Sequence, residues 1–241
     1  MSLADSYISL QSKGLAMSTT QVKKFCLALR LLLATGLISL AAPSFAQSAF
    51  SGFYGQVGIG YENSVPSYSG GTLYGITPGP LYSYGISGGT TDSFAGTVAL
   101  GYYLPVTDSF LLGIGAEYSP LQGASSNATV SIPALKYTEY QSIRKNDSYN
   151  LFISPAYAID QEKLAYVKAG YSGATFEIGG YDILYSGYSL GLGYRQIIQG
   201  AWYGFAEVNY TSYGNQNIAS NGSGTASFKV TNALVGLGYK F

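Results

Sequence analysis

The sequence predicts an all-β fold, an eight-stranded antiparallel up-and-down transmembrane β-barrel. Three observations lead to this prediction. Side chains alternate with a period of two in eight segments, aromatic residues stand at the ends of most apolar faces, and short connections alternate with long ones. A period of two indicates β-strands, because successive side chains of a strand point to opposite faces of the sheet.

Each of the eight segments has one apolar face and one face of small, polar or charged residues. In the first segment, Phe53, Val57 and Ile59 share the apolar face, whereas Gln56 and Glu62 lie on the other. No charged residue lies on any of the apolar faces. The predicted strands are residues 53–62, 94–103, 110–118, 148–157, 165–171, 188–195, 202–210 and 233–241.

Aliphatic residues occupy the middle of each apolar face, and aromatic residues usually occupy its ends. A bilayer selects this order, because an amphipathic ring rests at the level of the headgroups. A sheet that spans lipid must also close on itself, and eight strands form about the smallest barrel that does so. The predicted membrane-interface aromatics are Phe53, Tyr61, Phe94, Tyr102, Phe110, Tyr118, Tyr149, Tyr157, Tyr171, Tyr188, Tyr194, Trp202, Tyr210, Tyr239 and Phe241.

The connections sort by length, as expected for antiparallel strands that cross a membrane. The short ones are residues 105–109, 160–163 and 196–200. Short turns lie on the periplasmic side of such barrels and long loops lie outside the cell, so both termini are expected in the periplasm. The four predicted long extracellular loops are residues 63–91, 119–147, 172–185 and 212–227.

The N-terminal region has the pattern of a secretory signal peptide. Basic residues precede an apolar run over residues 31–42, and small residues before Gln47 form a cleavage site after Ala46. The run is well short of the ~20 residues that a membrane-spanning helix requires. We therefore expect a signal peptide at residues 17–46, a mature barrel at residues 47–241 and an over-extended start at residues 1–16, with Met17 as the alternative to Met1.

The composition argues against several classes of function. The 241 residues include 12 Lys+Arg, 12 Asp+Glu, one Cys and no His, so the formal net charge is zero. Without His the chain lacks the commonest metal ligand and general base, and a single Cys makes neither an intrachain disulfide nor a zinc site. A neutral chain also has no basic field for nucleic acid. We expect no catalytic, cofactor or metal site.

The face opposite the apolar one carries charged residues that would lie inside the barrel. Unpaired charges are costly in a narrow interior of low dielectric constant, so we expect a salt-bridged network with Lys168 and Glu207 as its central pair and Glu117 near them. The network either plugs the barrel or gates a narrow water path. The predicted lumenal charges are Glu62, Glu117, Lys168, Arg195, Glu207 and Lys240.

Two further features accompany the strands. Lumenal glycines are expected to make room for Tyr54, Tyr103, Tyr166 and Tyr203 in a tight interior. In the second long loop, residues 136–145 contain three basic side chains around Glu139, which either meet lipopolysaccharide phosphates or are simply solvated.

The end of the chain resembles the terminal strand that the outer-membrane assembly machinery recognises. Hydrophobic residues alternate towards a C-terminal aromatic, and this expected assembly signal comprises Ala233, Val235, Leu237, Tyr239 and Phe241. Residues 164–172 and 202–211 are also similar to the fifth and seventh strands of the small outer-membrane barrel family. That family contains the transmembrane part of outer membrane protein A, outer membrane protein X and the opacity-type surface antigens.

The resemblance implies a place in the cell outer membrane, in contact with outer-membrane lipid and lipopolysaccharide. It leaves two functions open, since family members serve as anchors, adhesins, resistance factors and minor pores. One is a structural or surface-exposed scaffold for a host, phage or envelope ligand, and the other is a porin-like channel for ions or very small solutes. A secreted β-sandwich is a remote third. Enzymes of similar barrels rely on a His, which is absent here, so no enzyme is expected.

Overall fold

The computed structural model describes residues 49–73, 82–217 and 223–241. The predicted signal peptide and residues 1–16 lie outside the described residues. No helix in the described ranges has the length and apolar character needed to cross a bilayer. The strands in these ranges are β1 Gly52–Ser69, β2 Gly71–Leu73, β3 Tyr82–Gly88, β4 Thr91–Pro105, β5 Phe110–Ser119, β6 Ser126–Ile132, β7 Tyr137–Ala158, β8 Lys163–Ile178, β9 Tyr181–Gln199, β10 Trp202–Asn217 and β11 Thr225–Lys240.

Eight of these strands close into a ring, as predicted from the alternation. The hydrogen-bonded order is β1, β4, β5, β7, β8, β9, β10 and β11, and β11 pairs again with β1. Every pair is antiparallel, and neighbours in the ring follow each other along the chain. The fold is therefore an eight-stranded up-and-down barrel, and each predicted strand lies within one of these eight, except that Phe241 follows the end of β11.

The two faces of the barrel wall differ as the period of two requires. On β9 the outward side chains of Leu190 and Leu192 are each 64% exposed, whereas the inward side chain of Arg195 is only 2% exposed. The barrel thus exposes its aliphatic residues and buries its charges, which is the reverse of the usual order in a soluble protein.

Most of the expected long loops are built from strand. Residues 172–185, expected as a loop, form the ends of β8 and β9, joined by a tight turn at Gly179 and Gly180, where both glycines have positive φ. The other three expected loops contain β2, β3, β6 and the extended ends of β1, β7, β10 and β11. The apolar outer face ends before these segments, whereas the period of two continues on the inner face.

A second set of strands continues the first ring and is here called the upper tier, residues 63–73, 82–88, 126–147, 172–185, 211–217 and 223–232. In it β3 and β6 occupy the places that β4 and β5 hold in the lower ring. β6 pairs with both β7 and β3, and β3 lies beside β1, where Tyr68 packs against Gly88. The upper tier is therefore a continuation of the barrel wall and not a set of separate loops.

The interior has an apolar cluster at each end. In the upper tier Phe176 stacks on Phe228 at 4.0 Å between ring centroids, with Tyr185 and Tyr213 packed edge-on against Phe176. At the opposite end, Phe50, Leu111 and Leu164 are buried together. The buried ion pairs of Lys168 and Lys145 lie between these two clusters, whereas Arg195 lies among tyrosines of the lower cluster.

Candidate functional site: the barrel interior and the upper tier

Lys168 is held between two carboxylates in the middle of the barrel. Its Nζ lies 2.7 Å from Oε1 of Glu207 and 3.0 Å from Oε2 of Glu117. Tyr166 donates to Oε2 of Glu207 at 2.7 Å, and Asn209 donates to Oε1 at the same distance. These residues come from β5, β8 and β10, so the ion cluster ties together strands from across the barrel.

A second buried ion pair lies towards the upper tier. Nζ of Lys145 is 2.5 Å from Oε2 of Glu62, and both side chains are almost fully buried. Counting by twos from Tyr149 would place Lys145 on the outer face, but a β-bulge between Lys145 and Asp147 adds one residue and turns Lys145 inward. The sequence contains no local signal for this bulge.

The basic cluster expected in the second long loop is therefore divided by the fold. Lys145 is inside the barrel, where it cannot contact lipopolysaccharide phosphates. Arg144 lies on the outer wall and pairs with Glu177 at 2.9 Å. Lys136 is exposed and ends a short turn, with a positive φ of 51°.

Arg195 is buried in a cage of tyrosine rings at the lower end of the barrel. Its Cζ lies 4.0 Å from the ring centroid of Tyr54, and the rings of Tyr103, Tyr166 and Tyr203 are 4.9–5.2 Å away. Its Nη2 donates to Oε1 of Gln56 at 2.8 Å. Cation–π contacts thus take the place that carboxylates take around Lys168.

A glycine on the neighbouring strand makes room for each ring of the cage. Tyr54 lies opposite Gly101, Tyr103 opposite Gly113, Tyr166 opposite Gly193 and Tyr203 opposite Gly238. At each glycine an added Cβ would meet the facing tyrosine. The expectation that lumenal glycines make room for these four tyrosines matches this arrangement.

We expect Gly193→Ala to destabilise the barrel by about 1–3 kcal/mol, because the new methyl group overlaps the Tyr166 ring, which is held by Glu207 and Arg195. Urea unfolding in lipid vesicles measures the change. Gly204→Ala is the matched control, since the nearest atom to its Cβ is Ile198 Cδ1 at 3.5 Å. Equal losses for the two variants would contradict the packing argument.

The six predicted lumenal charges all lie on inward positions, but they do not form one network. Lys168 joins Glu117 and Glu207, whereas Glu62 pairs with Lys145. Arg195 and Lys240 take part in no salt bridge among the described residues. Lys240 lies at the lower end of β11, partly exposed.

The outer surface carries two belts of aromatic residues that flank the aliphatic band. Several pack in pairs across neighbouring strands, such as Phe53 with Tyr102 at 4.7 Å and Trp202 with Tyr239 at 5.1 Å. The lower belt contains Phe53, Tyr102, Phe110, Tyr157, Tyr194, Trp202, Tyr239 and Phe241. The upper belt contains Tyr61, Phe94, Tyr118, Tyr149, Tyr171, Tyr188 and Tyr210.

The residues of the expected assembly signal face outward. Val235 and Leu237 are 58% and 50% exposed on β11, and Phe241 follows the strand at 73%. The backbone N–H of Phe241 donates to the carbonyl of Phe53 at 2.9 Å, so the end of the chain is held against β1.

The outer wall of the upper tier carries a polar cluster around Glu177. Arg144 and Asn146 donate to Glu177, and Asn146 also donates to Asp182 at 2.9 Å. The Arg144 hydrogen bond holds the pKa of Glu177 below its ordinary value. A lowered folded-state pKa contributes stability above the ordinary pKa of Glu, and that stability is lost as the pH falls through the lowered value. The contribution is small because the pair is about one-third exposed.

We expect Arg144→Gln to raise the pKa of Glu177 towards its ordinary value, because the hydrogen bond that favours the carboxylate is removed. Carboxyl titration by NMR in micelles measures this shift. The pKa of Asp160, lowered by its hydrogen bond from Lys163 at the other end of the barrel, should not change. An unchanged Glu177 would contradict the assignment of Arg144 as the cause.

The chain matches the model of the outer membrane protein beta-barrel domain over residues 32–241, and it belongs to that family. The protein is therefore an outer-membrane β-barrel whose strands cross the membrane, as its sequence predicts.

Solved structures similar to this chain include OprG from Pseudomonas aeruginosa, at 13% identity and a TM-score of 0.49, with 79% of this chain and 96% of that one covered. The neisserial surface protein NspA has 15% identity and a TM-score of 0.44, covering 79% and 98%. Ail of Yersinia pestis, solved in complex with the heparin analogue sucrose octasulfate, has 12% identity and a TM-score of 0.42, covering 79% and 99%. The comparison with curated proteins gives no match.

Proposed function

We propose that the protein is a closed, non-catalytic barrel that holds a rigid surface for ligand binding, the upper tier, outside the cell. The observation that carries this proposal is the filling of the interior. Two layers of charged and polar side chains lie between an aromatic cluster at one end and an apolar cluster at the other. Water and ions would have to cross both apolar layers to pass through.

The cavities of the interior support a closed barrel. Two small cavities in the described part of the chain have volumes of about 20 and 10 Å³. A volume of ~10–15 Å³ holds about one water molecule, whereas pockets for small organic ligands are ~300–1,000 Å³. Neither of these two cavities has room for a small organic ligand.

The construction of the upper tier supports a role in binding. It is made of paired strands and packed on its own aromatic core, so it presents its outer residues with little conformational freedom. Tyr140, 72% exposed on β7, and Leu135, 50% exposed in the adjoining turn, give this surface large contact groups. We propose a host, phage or envelope ligand as the partner.

Labelling of intact cells tests the exposure of the upper tier. The only Cys, Cys26, lies in the predicted signal peptide, so an introduced Cys is unique in the mature chain. We expect a membrane-impermeant maleimide to modify Tyr140→Cys but not the matched variant Asp160→Cys, in a short turn on the periplasmic side. Modification of Asp160→Cys but not of Tyr140→Cys would contradict the proposal that the upper tier lies outside the cell.

The alternative function is a narrow channel, in which a break in the Lys168 ion cluster opens a water path. Planar-bilayer conductance of the refolded protein separates the two functions. We expect no stable single-channel steps from the wild-type protein. Steps that Lys168→Ala abolishes or enlarges would overturn the closed barrel.

A further inference from the structure

The outward side of the hairpin formed by β6 and β7 is uncharged and is here called the hairpin face. Ala128 on β6 and Ile143 on β7 are buried in the interior of the upper tier, so the side chains that alternate with them point outward. Each of these outward side chains carries a hydroxyl or an amide group, and none carries a charge. The hairpin face comprises Asn127, Thr129, Ser131, Thr138, Tyr140 and Ser142.

Tyr140 lies at the centre of the hairpin face. It is 72% exposed and is paired in register with Thr129, which is paired in turn with Ser87 of β3. The pairing of β7 with β8 ends at Ile143 and Ile178, so Tyr140 lies on the part of β7 that extends beyond β8. One large ring is therefore flanked by small hydroxyl side chains and is open to a ligand from the side of the barrel.

This combination of groups fits an uncharged sugar. The face of an aromatic ring carries partial negative charge and attracts the C–H groups of a sugar ring. Hydroxyl and amide groups both donate and accept hydrogen bonds, as sugar hydroxyls do. A phosphate or a sulfate would instead require free Arg or Lys side chains, whereas Arg144 is already paired with Glu177 and Lys136 lies in the turn beyond the hairpin face. The hairpin face therefore favours neutral over anionic ligands.

The outer side of β7 changes in chemical character in the same order as lipopolysaccharide does. Its lipid-facing part ends at Tyr149 in the upper aromatic belt, the pair of Arg144 and Glu177 follows above it, and the hairpin face comes last. Lipopolysaccharide likewise has acyl chains, then phosphorylated sugars, and then a chain of largely uncharged sugars. Tyr140 lies about 20 Å above the belt, from a rise of ~3.3 Å per residue along a strand tilted by ~40°. It thus stands well above the acyl chains.

We propose that the hairpin face binds the uncharged sugar chain of lipopolysaccharide, with Tyr140 stacked on a sugar ring. The hairpin face continues the wall that contacts the lipid part of the same membrane leaflet. It points sideways, towards neighbouring lipopolysaccharide molecules, and not away from the cell. The inference rests on the proposed function, which puts the upper tier outside the cell, and it names the ligand class as an envelope polysaccharide.

Saturation-transfer NMR measures sugar binding to the refolded mature protein in detergent micelles. The probe is the polysaccharide that mild acid releases from lipopolysaccharide of the same bacterium, and we expect saturation to pass from the protein to the protons of its sugar rings. Tyr140→Ala and Tyr140→Leu should each lower the affinity at least about tenfold, the usual loss when a central aromatic contact is removed. Tyr140→Trp should keep the affinity, because an indole offers an aromatic face of the same kind.

Leu184→Ala is the matched control, since Leu184 is 51% exposed on the outer side of β9 and lies outside the hairpin face. This variant should bind the polysaccharide as the wild-type protein does. Dextran sulfate, an anionic polysaccharide, should bind the wild-type protein no more tightly than it binds Tyr140→Ala. Heat-modifiable migration on gels shows that each variant is folded.

Three results would overturn this sugar site. The polysaccharide receives no saturation from the wild-type protein, Tyr140→Leu binds it as well as the wild-type protein does, or a neutral host glycan, an N-acetyllactosamine oligomer, binds more tightly than the polysaccharide. The maleimide labelling of Tyr140→Cys tests the proposed function separately. Labelling on intact cells without polysaccharide binding overturns the sugar site alone and leaves the exposed upper tier in place.

Discussion

Replacing Lys168 by Met is expected to destabilise the barrel by about 3–5 kcal/mol, the usual cost of removing one partner from a buried ion pair. Without the ammonium group, Glu117 and Glu207 face each other in an interior where water cannot replace it. The side chains of Lys168 and Glu207 are 2% and 0% exposed, and that of Glu117 is 10% exposed. Urea unfolding in lipid vesicles, followed by Trp202 fluorescence and by heat-modifiable migration on gels, measures the loss.

Neutralising the two carboxylates at the same time separates lost charge from lost packing. In the triple variant Lys168→Met, Glu117→Gln, Glu207→Gln no charge is left unpaired, and replacing a whole buried ion cluster is often close to neutral. We expect this variant to recover most of the stability that Lys168→Met loses. A loss below ~1 kcal/mol for Lys168→Met alone would mean that water reaches the cluster, and would favour the channel.

Placing an arginine on the outer face is expected to distinguish the membrane-spanning wall from the upper tier. Leu192 lies in the aliphatic band of β9, 64% exposed, and Leu192→Arg should cost about 2–4 kcal/mol, as charges do at the middle of the bilayer. Folding into vesicles at increasing urea concentration measures this cost.

Leu184 provides the control on the same strand and the same face. It is 51% exposed and lies above the upper aromatic belt, so Leu184→Arg remains in water and should cost about 0–1 kcal/mol. Equal losses of stability at the two positions would show that the bilayer reaches into the upper tier. The membrane boundary would then not lie at the upper aromatic belt, to which Tyr188 belongs.

The lower ring was predictable because its signals are local. The alternation of apolar and small residues on each strand identified eight strands, and the aromatic ends of their faces predict the width of the lipid-facing band. The ring order and the antiparallel pairing confirm this fold.

The upper tier was not predictable from the same signals. There apolar residues turn inward, as Phe176 and Phe228 do. The lipid-facing pattern therefore predicts only the lower part of each strand, and the upper part has the pattern of a loop. On β8 the apolar side chains lie on the outer face up to Tyr171 and on the inner face at Ala174 and Phe176. This change of face is present in the alternation of the sequence.

The sequence by itself determined which face of each strand points inward, because the backbone geometry of a strand alternates its side chains without reference to any partner. It therefore determined that Lys168, Glu117, Glu207 and Arg195 lie inside. Only the tertiary structure decided which of them meet. Pairing depends on register, on strand tilt and on the bulge that turns Lys145 inward. Each of these properties is set jointly by two neighbouring strands, so the sequence of one strand does not determine it. The same dependence placed Arg195 among tyrosines, with no salt bridge to a carboxylate in the described part of the chain.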